Sequence, residues 1–117
     1  MTITERQQGD VTILDLAGKL TLDHEVAAFR ATIRTLLEQG KKRILLNLDM
    51  VPYMDAAGVD ELVMSWRTVK EHGGILKILN LTKKIGQGLL VIPKLLTVFE
   101  AFDDEQKALA SFRHDRS

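Results

Sequence analysis

Residues 53–59, Tyr-Met-Asp-Ala-Ala-Gly-Val, form the segment whose position in the chain best suits chemistry. They follow an apolar, strand-like run at 43–48 and precede a run at 59–70 with helical spacing, so they are predicted to lie where a buried strand turns into a helix. The first N–H groups of a helix lack internal partners, and the helix dipole favours negative charge there. Such a junction is a usual place to bind a phosphate or to carry a regulatory one. The residue after Asp55 is Ala56, which has no hydroxyl to phosphorylate.

Asp55 and Gly58 each have a structural explanation beside a functional one. An aspartate directly before a helix is a good N-cap, worth about 1 kcal/mol, and capping is the main role predicted for Asp55, compatible with a surface contact. Gly58 falls in the first helical turn, where glycine costs up to roughly 1 kcal/mol relative to alanine. Close packing or the approach of a partner would explain it, and the sequence leaves both open. Tyr53 and Met54 are predicted to pack rather than to recognise a ligand.

Other candidate sites are better explained by structure. Residues 23–25, Asp-His-Glu, could be drawn as half of a metal site, but an N-cap with first-turn residues is favoured, as it is for the acidic run 103–105. Ser65 has no His or Asp nearby in sequence, and a nucleophile needs a positioned base. Residues 86–88, Gly-Gln-Gly, lie in a helical pattern and follow no strand, so a phosphate cradle is not expected. We predict no enzyme activity, no cofactor and no metal.

Composition narrows the class of partner. Sixteen basic and sixteen acidic residues give a formal net charge of zero, which does not favour nucleic acid or an anionic membrane. The basic clusters at 41–43 and 83–84 contain no aromatic residue and are predicted to be solvated rims. Trp66 and Phe29 are predicted to be core residues.

The absence of certain features sets the expected location. There is no cysteine, so disulfides and thiolate chemistry are excluded. The first residues lack the apolar core of a signal peptide, and no apolar run approaches the roughly 20 residues of a membrane span. We therefore expect a cytoplasmic protein without a membrane span.

The periodicity predicts one α/β domain over residues 1–117, with 113–117 as a frayed tail. Strands are predicted near Ile3 and at 11–16, joined as a hairpin at Gly9-Asp10, and then at 44–48 and 75–79. Helices are predicted from Asp23 to Gly40, at 59–70, at 82–91 with a stop near Pro93, and from 103 to 112. Residues 95–99 are predicted to form a short last strand or turn. The expected sheet is mixed but mostly parallel, with four to five strands and about four helices.

These elements and motifs, taken in order, resemble the STAS domain, and more narrowly the bacterial anti-sigma factor antagonists. The resemblance rests on Gly18-Lys19-Leu20, on 44–48, on 51–59, on Gly73-Gly74-Ile75-Leu76-Lys77, and on the closing stretch 95–102. It extends from about Ile3 to Phe112. In that family an Asp-Ser-(Ser/Thr/Ala)-Gly motif carries the phosphorylated serine. Asp55 matches its aspartate, Ala56 falls on the phosphoacceptor, Ala57 on its neighbour and Gly58 on the glycine.

The resemblance implies partner switching. An antagonist of this kind binds an anti-sigma factor, often a serine kinase with a histidine-kinase-like fold, and so releases a sigma factor. The implied partner-binding residues are Asp55, Ala56, Ala57, Gly58 and Val59, and no phosphorylation is expected at Ala56. Two alternatives stay open: a STAS scaffold subunit of a sensory or transport-associated complex, and a module that binds nucleotide or another small ligand. The sequence does not indicate the oligomeric state.

Overall fold

The protein folds as a layered α/β structure in the computed structural model, which describes residues 1–22, 24–81, 85 and 91–114. The strands are β1 (Thr2–Gln8), β2 (Val11–Ala17), β3 (Arg43–Met50), β4 (Ile75–Leu79) and β5 (Ala101–Phe102). The helices are α1 (His24–Glu38), α2 (Ala56–Glu71), α3 (Val91–Leu96) and α4 (Glu105–His114). The predicted α/β class, mixed sheet and approximate number of elements are confirmed.

The five strands form one sheet in the order β1-β2-β3-β4-β5. β1 and β2 are an antiparallel hairpin that turns at Gly9 and Asp10, as the sequence predicts, and Gly9 takes the positive φ of 62° that a tight turn favours. The remaining pairs are parallel. Each parallel connection carries a helix, because two parallel strands need a crossover of a dozen or more residues.

The central strands are covered on both faces, which explains why β3 is almost continuously apolar. On one face Leu14, Leu46 and Ile78 pack with apolar side chains of α1, α2 and α3. On the other face a smaller cluster forms beneath α4, which contributes Ala108 and Phe112. The alternation of side chains along each strand therefore divides the core into a large layer and a small one.

The segment before α3 differs from its sequence prediction. Of the helix predicted at 82–91, residues 82–84 and 86–90 lie outside the described residues, and Ile85 is buried in a turn. Pro93 does not stop a helix; it is the third residue of α3 as described, and proline is tolerated in the first turn of a helix. Within 95–99, predicted to be a strand or a turn, Leu95 and Leu96 end α3 and residues 97–98 form a turn, and the last strand is β5.

The N-terminal part of α4 is held by a polar cluster that crosses the sheet. The Arg6 guanidinium donates to both Asp15 carboxylate oxygens, at 2.5 and 3.0 Å, and to Glu105 of α4 at 2.7 Å. The Asn47 amide donates to the same Asp15 carboxylate at 2.8 Å, and the Asn80 amide donates to Asn47 at 3.1 Å. The hydrogen bond from Arg6 lowers the pKa of Asp15. Partial burial opposes this effect, and the hydrogen bond from Asn47 adds to it. This cluster joins the hairpin to the two central parallel strands and to α4.

Near its C-terminal end, α4 covers a buried lysine. Lys77 of β4 is 2% exposed, and its ammonium donates to Ser111 Oγ at 2.8 Å. It also lies 4.9 Å from the centre of the Phe112 ring. The helix continues to His114, two residues into the segment 113–117 for which fraying was expected, and the last three residues lie outside the described part.

Replacing Asp15 with asparagine should lower stability in a pH-dependent way. Because the pKa of Asp15 is lower in the folded protein, its contribution is present above the unfolded value of about 3.9 and is lost as the pH falls through the folded pKa. We expect Asp15→Asn to reduce the free energy of unfolding by about 1–2 kcal/mol at pH 7, and the difference from the wild type to shrink below about pH 4. Urea denaturation at several pH values measures this.

Asp49→Asn is the matched control, since Asp49 is exposed at the end of β3. It should leave the free energy of unfolding nearly unchanged at every pH. A difference for Asp15→Asn that stayed constant from pH 7 to pH 3 would show that the carboxylate charge is not what stabilises the cluster.

Candidate functional site

Two loops meet at the N-terminal end of α2, one between β2 and α1 and the other between β3 and α2. Backbone hydrogen bonds join them: Gly18 N–H donates to the Met50 carbonyl at 3.0 Å, and Leu20 N–H to the Tyr53 carbonyl at 3.0 Å. The Leu20 carbonyl in turn accepts from Asp55 N–H at 3.3 Å. The parallel pairing of β2 with β3 therefore continues beyond the strands, where Leu20 and Met54 form a single parallel bridge.

The Asp55 carboxylate makes two hydrogen bonds at this meeting point. Its Oδ1 accepts from Gly58 N–H at 2.9 Å, which confirms the predicted N-cap of α2. Its Oδ2 accepts from Leu22 N–H at 3.1 Å, in the loop that leads to α1. The second bond is not apparent from the sequence, because Leu22 and Asp55 are 33 residues apart. One side chain thus caps a helix and fastens a neighbouring loop to it.

Packing explains Gly58. A Cβ atom built on Gly58 would lie 2.3 Å from the Leu20 carbonyl oxygen, a distance that real Cβ atoms essentially never show. The close approach left open by the sequence is therefore made by the chain's own backbone. Gly58 lets α2 begin directly against the loop that Asp55 holds.

The five sequence-predicted contact residues lie together but differ in exposure. Ala56 is exposed, Asp55 and Ala57 are half-buried, and Gly58 and Val59 are buried. A partner can therefore touch the first three directly, while the last two shape the surface from beneath. Ala56 opens α2 as its first residue.

Three large apolar side chains are exposed on the segments that are joined near the start of α2. Leu22 is 70% exposed, Met50 66% and Tyr53 50%; Leu22 and Tyr53 lie in the two bonded loops, and Met50 is the last residue of β3. Of the pair predicted to pack, Met54 is buried at 2%, but the prediction for Tyr53 is wrong, because its ring is half exposed. We call the set Leu22, Met50, Tyr53, Asp55 and Ala56 the α2 N-terminal surface. Leu22 and Met50 were missed in the sequence, because a single apolar residue in a loop or at the end of a strand carries no distinctive signal.

The other sequence candidates take structural positions. Ser65 is buried and donates to Glu61 Oε2 at 3.1 Å, and Asp104 Oδ1 accepts from Lys107 N–H at 3.0 Å at the start of α4. In the ranges 1–22, 24–81, 85 and 91–114, no three His, Asp or Glu residues are placed to hold a metal ion. Residues 86–88 and Asp23 lie outside the described part.

The first basic cluster takes part in ion pairs. Lys41 contacts Glu5 at 2.7 Å, and Arg43 contacts Asp10 at 3.2 Å and donates to the Phe112 carbonyl. Phe29 is fully buried, as predicted, and Trp66 is partly buried against the core. Lys83 and Lys84 lie outside the described residues. Among the helices that the structure describes, none is long and apolar enough to cross a bilayer.

The sequence model of the family described as "Mlab, STAS domain" matches residues 3–106, nearly the whole chain. The chain belongs to the STAS domain family. This confirms the resemblance drawn from the motifs around residues 18–20 and 51–59.

Solved structures show the same STAS fold at low sequence identity. The Thermotoga maritima protein TM1081 superposes with a TM-score of 0.83 at 20% identity, with 95% of this chain and 94% of that chain covered. The unphosphorylated anti-sigma factor antagonist SpoIIAA of Bacillus gives a TM-score of 0.71 at 22% identity, with 96% and 98% covered. A third match is the murine anion transporter Slc26a9, with a TM-score of 0.72 at 16% identity; it covers 94% of this chain but 19% of the transporter.

Gly58→Ala should destabilise the protein although it improves helix propensity. The new methyl group meets a backbone carbonyl, which cannot rotate away, so either α2 or the loop at Leu20 has to shift. We expect a loss of about 1–3 kcal/mol in the free energy of unfolding, as found for overpacked sites, against a gain of at most about 1 kcal/mol from propensity. Chemical denaturation provides the measurement.

Ala56→Gly is the control, because it makes the reverse exchange at an exposed position in the same helical turn. It should cost at most about 1 kcal/mol. A Gly58→Ala protein as stable as the wild type would mean that the loop at Leu20 moves without cost.

Proposed function

We propose that this STAS domain is a non-enzymatic binding protein that engages its partner through the α2 N-terminal surface. The observation that carries the proposal is the group of exposed apolar side chains, Leu22, Met50 and Tyr53, around the start of α2. Exposed apolar residues that lie together mark interaction sites, and tyrosine is enriched among the residues that dominate binding energy. Backbone bonds and the Asp55 carboxylate hold the loops, so little order has to be gained on binding.

The partner class we propose is an anti-sigma factor of the histidine-kinase-like serine kinase type, with the chain acting as its antagonist in the cytoplasm. The support is the family membership together with the fold shared with SpoIIAA, an anti-sigma factor antagonist. SpoIIAA has also been solved in a phosphorylated form. The motif resemblance would put the phosphoacceptor position on Ala56, and neither Ala56 nor the neighbouring Ala57 has a hydroxyl.

We further propose that binding is not switched off by phosphorylation at this position. A phosphate there would add about −1.5 to −2 charge next to Asp55, on an otherwise apolar contact surface, and would oppose association by repulsion and desolvation. Alanine removes that possibility. Binding at this surface would therefore depend on the amount of partner and not on phosphorylation at position 56.

The first experiment is a pull-down with the tagged protein from native lysate, with and without Mg-ATP, followed by intact mass analysis of the bait. Capture of a histidine-kinase-like protein with the mass of the bait unchanged supports an antagonist that cannot be switched at Ala56. A phosphate on residues 53–60, where Tyr53 has the one hydroxyl, would contradict the proposal.

Substitutions on the surface should weaken the captured complex without unfolding the protein. Tyr53→Ala removes a half-exposed ring, and we expect the Kd to rise at least tenfold, which corresponds to about 1.4 kcal/mol. Ala56→Asp places a negative charge at the start of α2, where the helix dipole tolerates it, so stability should hold while binding falls. Titration calorimetry measures the Kd and thermal unfolding the stability.

Leu96→Ala is the control, since Leu96 is also exposed, at 52%, but belongs to α3. It should bind as the wild type does. Equal losses for Tyr53→Ala and Leu96→Ala, or no loss for either, would rule out the α2 N-terminal surface as the contact.

A second candidate function is a scaffold subunit of a transport-associated complex. The observation in its favour is that the same fold forms 19% of the Slc26a9 anion transporter chain, where it is one part of a much larger protein. Stable capture of transport proteins, with no anti-sigma factor bound, would favour this function. The same substitutions then test whether the α2 N-terminal surface is still the one used.

A further inference from the structure

A groove of about 530 Å³ runs between α1 and α2, away from the α2 N-terminal surface. This volume falls within the range of about 300–1,000 Å³ that is usual for small-molecule sites. Its apolar lining comes from Ile33 and Leu37 of α1 and from Met64 of α2. Its charged lining consists of Arg30, Arg34, Glu38 and Glu61. The way in which these four groups pair indicates the charge of the ligand.

A buried acid faces the groove. Glu61 is 4% exposed, its Oε1 accepts from Arg30 Nε at 2.7 Å, and the same oxygen lies 2.6 Å from Arg30 Nη2 in an ion pair. Its Oε2 accepts from Ser65, which is 3% exposed. A buried carboxylate is costly unless it is paired, and here its charge is met in full by one arginine. Glu61 therefore holds the Arg30 guanidinium in a fixed position, and Arg30 Nη1 takes no part in the pair.

A second arginine lies one helical turn further along the groove. Within the part of the chain that the structure describes, the Arg34 guanidinium makes no hydrogen bond or ion pair. Glu38, the other acid in the lining, is exposed and does not pair with it. The positive charge of Arg34 is thus available beside an apolar wall.

Thr68 and His72, which also line the groove, each make a hydrogen bond to a backbone carbonyl of α2. The Thr68 hydroxyl donates to the Met64 carbonyl at 3.0 Å, and the His72 ring is within hydrogen-bond distance of the Thr68 carbonyl at 2.8 Å. A ligand would therefore be recognised by charge at the arginines and by burial of its apolar part, rather than by neutral hydrogen bonds.

We propose that the groove between α1 and α2 is a second binding site, which takes a small organic anion with an apolar body. The acidic group of the ligand pairs with Arg34 and with the free edge of Arg30, because guanidinium groups match carboxylate and phosphate geometry. The apolar body lies along Ile33, Leu37 and Met64. This site is independent of the protein partner proposed above.

Octanoate is the probe, titrated into the full ¹⁵N-labelled chain below its micellar concentration and followed by amide chemical shifts. We expect saturable shifts confined to residues 30–38 and 61–72, with a Kd below about 1 mM. 1-Octanol has the same chain without the charge and octylammonium has the opposite charge; both should bind at least tenfold more weakly.

Arg34→Gln should weaken octanoate binding about tenfold, the factor expected for the loss of one charge-assisted hydrogen bond. Arg34→Lys should recover part of that loss, and Glu38→Gln should leave binding equal or tighter because it removes a nearby negative charge. Arg67→Gln is the matched control, since it removes an exposed arginine of α2 that does not line the groove. All three positions are on the helix surfaces, and thermal unfolding should confirm that the four variants fold.

The proposal is overturned if octanol binds as tightly as octanoate, because recognition would then be apolar only. It is equally overturned if Arg34→Gln binds as the wild type does, if no saturable shift appears below 1 mM, or if the shifts map to Leu22, Met50 and Tyr53 instead of the groove. None of these results bears on partner capture by the α2 N-terminal surface, which the pull-down tests separately.

Discussion

The arrangement of the α2 N-terminal surface depends on one carboxylate. Asp55 accepts from Gly58 N–H within its own helix and from Leu22 N–H in a distant loop, so it fixes both where α2 begins and where the chain enters α1. The close approach of the Leu20 carbonyl to Gly58 completes this joint, and it leaves no room for a side chain at that position. With the loops held in this way, the large apolar residues beside Ala56 stay exposed in a defined arrangement.

α2 contributes to two surfaces, the α2 N-terminal surface at its start and the groove beside α1 further along the helix. Its first residue, Ala56, faces solvent among Leu22, Met50 and Tyr53, whereas Glu61 and Ser65 are buried toward α1. Ala56, on the first surface, has no hydroxyl that could be phosphorylated. The paired Glu61 and Arg30 give the groove between α1 and α2 a charged lining, which simple apolar packing of the two helices would not require. The two surfaces differ in chemistry: one is mostly apolar, and the other combines two arginines and two glutamates with an apolar wall.

The elements with strong local patterns could be predicted from the sequence. The hairpin at Gly9-Asp10, the apolar strand around Leu46 and the helix that Asp55 caps all follow from short-range rules, and the structure confirms them. Pro93 and Tyr53 were misjudged for one reason: whether a proline is tolerated, or a ring is covered, depends on its place in the assembled structure. Residue type alone does not fix that place.

Family, fold class and the missing hydroxyl at position 56 were determined by the sequence itself, since they depend on residue identity and on periodicity along the chain. Only the tertiary structure decided which residues are exposed around Ala56, why position 58 must be glycine, and that Arg30 and Glu61 line a groove. Each of these rests on contacts between residues about thirty or more positions apart. Such contacts exist only after the strands have paired and the helices have packed, because local sequence carries no record of which distant backbone will approach.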